Sequence, residues 1–120
     1  MATATKIKLS GSTDGKGIKV TTASPLDGSD TTIHTANTGT TDYDLVTLFA
    51  VNTDSVDREL FIGWGGTTDP DNLIRLTVPS RAGLVLVTAD LPIQNSAVIV
   101  ASASAANVVV VYGYVNHLDY

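Results

Sequence analysis

"DLVTLFAVN", residues 44–52, is the stretch that decides the fold. In an extended chain successive side chains alternate between two faces. Leu45, Phe49 and Val51 then fall on one side, and Val46, Leu48 and Ala50 on the other. No helical period is visible here, and a run rich in Val, Leu and Phe favours a strand. Both faces of this strand are apolar, so it needs cover on both.

Working outward, the same signals recur. Runs of Val, Ile, Thr and aromatics predict strands near residues 6–9, 18–22, 31–35, 44–52, 59–64, 73–78, 84–88, 97–103 and 108–115. Turn chemistry separates them in "STDGKG", "SPLDGSD", "NTGTTD", "NTDSVD", "TTDPDN", "PSRAG", "ADLPIQN" and "SAAN". Many short strands in one small chain predict an all-β fold, an antiparallel β-sandwich or jelly roll. In "ELFIGW", Leu60, Ile62 and Trp64 share one side and Glu59, Phe61 and Gly63 the other. In "LIRLTV", Ile74, Leu76 and Val78 oppose Leu73, Arg75 and Thr77. Such strands can keep one wet face. "GLVLVT" and "NVVVVYGYV", like residues 44–52, cannot. A two-layer sandwich has no third layer to cover them. We therefore expect a homo-oligomer, against the alternative that a loop or the N-terminal segment folds back over the outer face.

A chain of 120 residues is the size of one domain and can bury a core without staples. It has no cysteine, which excludes disulfides, thiolate nucleophiles and cysteine-ligated zinc. Its apolar runs are short and interrupted, so no transmembrane helix is expected. The opening "MATATKIKLSGSTDGKG" lacks an apolar stretch, does not read as a secretory signal, and is taken as the start of the mature protein. The net charge of −5 argues against nucleic acid, whose phosphates call for a basic face. That charge is unevenly laid out. Residues 1–20 hold all four lysines, Lys6, Lys8, Lys16 and Lys19, against Asp14 alone, a net of +3; residues 21–120 carry three arginines against eleven acids, a net of −8. We divide the chain accordingly into a basic N-terminal arm or edge strands, 1–20, and a sandwich domain, 21–120. The basic segment suits docking on an acidic surface, or is a solvated terminus.

No motif names a reaction. "FIGWGGTTDPDN", residues 61–72, resembles a ligand loop in composition, but it has no lysine and no following helix for a phosphate. For calcium it offers Asp69, Asp71 and Asn72 without the closing glutamate of an EF-hand, so we read it as a turn. His34 and His117 are the only histidines, with no serine elbow and too few ligands for zinc. We read them as surface or interface residues. The carboxylate pairs Asp27/Asp30, Asp42/Asp44 and Asp54/Asp57 lie in turns where Asp is expected in any case. Tyr112 and Tyr114 share one face of the last long strand, as a packing stripe or as a platform for sugar. We expect no enzyme, no cofactor, no metal and no membrane.

"TIHTANTGTTDYDLVTLFAVNTDSVDRELFIGWGGTTDPDNLIRLTVPSRAGLVLV" and "LPIQNSAVIVASASAANVVVVYGYVNHL" resemble small structural proteins of tailed bacteriophages. The likeness runs from about Thr32 to Leu118. It lies in the His-Thr start, "GGTTDPDN", the Pro-Ser-x-x-Gly turn and the closing Gly-Tyr-Val-Asn. It implies an all-β virion component akin to capsid decoration, or cement, proteins, which bind an assembled head from outside and brace the major capsid protein. The family supplies no catalytic residues. On this reading the protein sits on the virion surface and forms a homo-oligomer, with a trimer favoured. Lys6, Lys8, Lys16 and Lys19 are assigned to capsid docking. Val108, Val109, Val110, Val111, Tyr112 and Tyr114 are assigned to subunit packing. The alternatives are a sugar-binding module of a tail or fibre, in which Trp64 and the tyrosines line a groove, and a tail or connector subunit.

Overall fold

The computed structural model describes residues 3–23, 25–28 and 30–120. It contains nine strands: β1 (Thr3–Lys8), β2 (Ile18–Lys19), β3 (Thr31–Thr35), β4 (Tyr43–Asn52), β5 (Arg58–Trp64), β6 (Leu73–Val78), β7 (Val85–Ile93), β8 (Val98–Ala103) and β9 (Val109–Asp119). Two antiparallel sheets pack together. One has the order β1-β9-β4-β7, with β2 continuing the β1 edge along β9; the other has the order β3-β8-β5-β6. From β2 onward the chain crosses between the sheets at every step except the β5–β6 hairpin. That path is a jelly roll.

Strand parity builds the core. Val46, Leu48 and Ala50 of β4 and Val109, Val111 and Val115 of β9 point inward. They meet Ile33 of β3, Leu60 and Ile62 of β5, and Ile99, Ala101 and Ala103 of β8. Burying a Val, Leu or Ile side chain stabilises by roughly 1.5–3 kcal/mol, which is how a chain without disulfides holds two sheets together. β4 lies at the centre of the five-stranded sheet, paired with β9 along its whole length and with β7 on its other side.

Four elements depart clearly from the expected boundaries, among them β1, which begins at Thr3 instead of near Lys6. β7 runs on through "ADLPI", which the sequence suggested was a turn. Pro92 is tolerated there because β7 is an edge strand, where a missing N–H breaks no ladder. Asp90 takes up a bulge with φ +52°. β9 extends to Asp119, and β2 shrinks to two residues. The basic N-terminal segment lies along the sheet edge. β1 pairs with β9 from Thr3↔Asp119 to Lys8↔Tyr114, and all six of its residues are exposed.

Candidate functional site

Register places the outer face of the five-stranded sheet row by row. Lys6, Asn116, Leu45 and Pro92 form one row, and Lys8, Tyr114 and Thr47 the next. Tyr112, Phe49 and Leu86 form a third, and Lys19, Val110 and Val51 a fourth. The middle of this face is apolar and aromatic, and Leu84, Leu86 and Tyr112 are 61%, 55% and 38% exposed. Three of the four lysines stand along its β1/β2 edge. The Lys6 ammonium lies 5.0 Å from the centre of the Tyr114 ring, a cation–π approach that fixes one end of the lysine row to the aromatic strip. Gly17 precedes β2 on the same face. A Cβ there would stand 2.4 Å from Val110 Cγ1 and 2.6 Å from Tyr112 Cζ, so only glycine lets the Tyr112 ring fold over this edge.

The docking and packing residues suggested by the sequence therefore belong to one surface. Lys6, Lys8 and Lys19 edge it, and Val110, Tyr112 and Tyr114 lie within it; Lys16 stands exposed in the β1–β2 turn. Val109 and Val111 do not belong there. Both are completely buried in the chain's own core, as their odd parity on β9 requires, and Val108 packs against that core from the strand's start. The packing assignment is thereby narrowed to Val110, Tyr112 and Tyr114.

The histidines converge where sequence reading did not place them. Asp44 and His117 are directly opposed across β4 and β9 on the inward side. A register shift between Thr32 and His34 on β3 turns His34 inward from the other sheet. The His34 Nε2–H donates to Asp44 Oδ2 at 2.8 Å, and the His117 Nδ1–H donates to Asp44 Oδ1 at 2.7 Å. His34 Nδ1 accepts from the Ser10 N–H at 3.0 Å, which fixes the tautomer. His34 and Asp44 are both buried, and His117 is partly exposed. One carboxylate thus clamps the two sheets together at the end of the sandwich. It adjoins a groove of about 660 Å³ lined by Ile7, Lys8, Ser10, Thr35 and Asn37 as well. All of the clamp's inward-facing hydrogen bonds are internal. Among the described residues no group of three or more histidines and carboxylates is placed to hold a metal ion.

The remaining sequence candidates serve local structure. In "FIGWGGTTDPDN", Asn72 organises the β5–β6 hairpin. Its N–H donates to Thr68 O at 2.8 Å, its Nδ2 to Trp64 O at 3.1 Å, and its Oδ1 accepts from the Thr68 N–H at 3.2 Å. Gly65 turns the chain at φ +80°. Asp30 accepts from the backbone of Asp27 and Gly28, and Asp42 from Tyr120. Asp57 accepts from the Ser80 N–H. Hydrogen bonding from Arg58 holds the Asp54 carboxyl below the usual carboxylate range. Trp64 packs against the core and its Nε1–H donates to Pro92 O at 3.3 Å, while Tyr112 and Tyr114 face outward from the other sheet. Trp64 and these tyrosines do not line one groove.

The outer face of the four-stranded sheet is built differently. Phe61 is only 4% exposed on it. Arg75, directly opposite on β6, lies 5.1 Å from the Phe61 ring centre and forks onto Glu59 at 2.8 and 3.1 Å. Leu26, from the β2–β3 connection, reaches within 3.2 Å of where a Cβ on Gly63 would stand. A residue of the β2–β3 connection thus lies over part of this sheet's outer face, at Gly63.

Comparison of the chain with protein-family models, with curated proteins and with solved structures finds no match.

Proposed function

We propose that this chain is a non-enzymatic virion structural protein, a decoration protein that docks on the outside of an assembled phage head and braces its major capsid protein. The observation that carries this reading is the open, lysine-edged apolar face of the five-stranded sheet. Contiguous exposed apolar surface of this kind marks a surface used for association. Its lysines suit an acidic partner, and charge of one sign along an edge steers and orients docking. The all-β fold, the phage-like wording of residues 32–118 and the local roles of the candidate catalytic residues support the same reading.

The work done is mechanical. A protein that binds only where several shell subunits are correctly juxtaposed lends its binding free energy to the assembled lattice alone, by mass action. Many weak copies on one shell add up. Of the four lysines assigned to docking, Lys16 and Lys19 are the docking cations, while Lys6 and Lys8 edge the aromatic strip, which is an interface between copies.

Co-sedimentation with undecorated phage heads tests this reading. The protein should pellet with assembled heads and stay in solution with unassembled capsid protein. Replacing Lys16 and Lys19 by Glu should abolish pelleting at physiological salt. Equal binding to unassembled subunits, or no binding to heads, would sink the proposal. An image of intact particles would then locate the chain on head or tail.

A further inference from the structure

We infer that the outer face of the five-stranded sheet is covered by a second copy of the chain, packed face to face about a two-fold axis that runs along the strands. The inference deepens the assembly reading above and rests on it. Its starting point is the charge layout of that face. The apolar middle, from Leu45 and Phe49 to Tyr112 and Tyr114, carries no charge. Lys6, Lys8 and Lys19 all stand on the β1/β2 edge. An acid, Asp90, stands at the opposite edge, on the β7 bulge, where it lines a hollow of this face with Leu45 and Pro92.

The bulge also fixes the level of that acid along the strands. The Asp90 N–H donates to Thr47 Oγ1 at 3.2 Å, Thr47 is opposite Tyr114, and Tyr114 is opposite Lys8. Lys8 and Asp90 therefore sit at the same height on opposite edges. A two-fold axis parallel to the strands carries each edge over the other without changing height. It brings Lys8 of each copy to Asp90 of its partner, twice per pair. An axis across the strands would instead stack lysines on lysines, which costs several kcal/mol. One row further along, Lys6 lies level with Leu45 and Pro92. Leu45 and Pro92 line a hollow of about 480 Å³ with Tyr43, Asp90, Ile93 and Gln94, an acid-lipped recess for the partner's lysine edge.

Size and packing agree. Four strands spaced about 4.8 Å apart and some nine residues long present roughly 500 Å² per copy. The pair then buries about 1,000 Å², the lower limit for a biological interface. Sheets stacked with strands aligned to within about 30° are a standard packing. The unit that docks is then a pair of copies, where the family resemblance led us to expect a trimer. Lys16 and Lys19 remain beyond the Lys8–Asp90 contacts for the shell.

Three measurements test the pairing. Sedimentation should give twice the chain mass, and zero-length carbodiimide coupling should join Lys8 to Asp90 between copies. Lys8→Asp or Asp90→Lys should weaken the pair about a hundredfold, and the double swap should restore it. A monomer, a three-copy mass, or single reversals that leave the pair intact would overturn the inference. Co-sedimentation keeps the two proposals apart. A monomer that still pellets with heads sinks the pairing alone, and a charge-dependent pair that ignores heads sinks the decoration role alone.

Discussion

The two outer faces of this sandwich solve one problem in opposite ways. Each carries a large aromatic residue at its middle, Phe61 on the four-stranded sheet and Phe49 on the five-stranded sheet. Phe61 is sealed by the chain itself, under the Arg75–Glu59 fork and beside Leu26. Phe49 sits in an apolar row with Tyr112 and Leu86, both exposed, and the charges near it are confined to the edges. A face finished internally is a wall. A face left apolar, with its cations drawn up along one side, is prepared for something else to finish it.

The largest effect should come from the seam between the sheets, where neither face is involved. Asp44→Ala strips the buried His34 and the partly exposed His117 of their shared acceptor and, with two hydrogen bonds to a carboxylate lost, should cost about 3–5 kcal/mol in urea unfolding. That loss should be the same at every protein concentration, since the clamp lies inside one copy. Phe61→Ala comes next, at about 3 kcal/mol, as for any aromatic removed from a packed site. Gly17→Ala should cost about 1–3 kcal/mol, because the new methyl must displace Val110 and the Tyr112 ring. It should also disturb the open face, visible as loosened self-association. Phe49→Ala is the sharpest probe of the contrast. In dilute protein it should cost less than about 1 kcal/mol, and the penalty should grow with concentration as pairs form. A concentration-independent loss as large as that of Phe61 would erase the distinction between the faces.

The smallest effect concerns the fork over Phe61. Hydrogen bonding from Arg75 holds the Glu59 carboxyl below its ordinary range, and the same pair raises Arg75. A lowered folded-state pKa adds stability that is fully present above the unfolded value and disappears as pH falls through the folded one. Glu59→Gln should therefore lower the unfolding midpoint slightly and equally at about pH 7 and pH 5, and the difference should shrink as pH falls below the ordinary glutamate range. A difference that faded already between pH 7 and 5 would mean that the fork does not hold its charge.

Much of this was readable in advance from parity. The alternation in residues 44–52 correctly separated Val46, Leu48 and Ala50 from Leu45, Phe49 and Val51, and with them the two-faced strand on which the architecture turns. Parity held a further message that was passed over. Asp44 is in phase with Val46 and Leu48, and His117 with Val111 and Val115, so both polar groups were already assigned to the core side. What no local pattern could supply was their meeting. His34 joins Asp44 only because a β-bulge rotates β3, and His117 only because β9 is laid beside β4. The packing of Leu26 at Gly63 was hidden for a similar reason, since Leu26 sits in a turn-rich connection with nothing local to say where its side chain lands. β7 was shortened because Pro92 reads as a breaker, and it is one except at an edge.

The position of β9 has a kinetic consequence. This strand separates β4 from β1 and β2, so the five-stranded sheet closes only when one of the last segments of the path reaches its slot, as the pairing of Thr3 with Asp119 shows. Proteins dominated by such long-range contacts fold over milliseconds to seconds, not microseconds. Until β9 is in place, β4 has no partner on that side and presents apolar side chains front and back, a transient edge open to clumping.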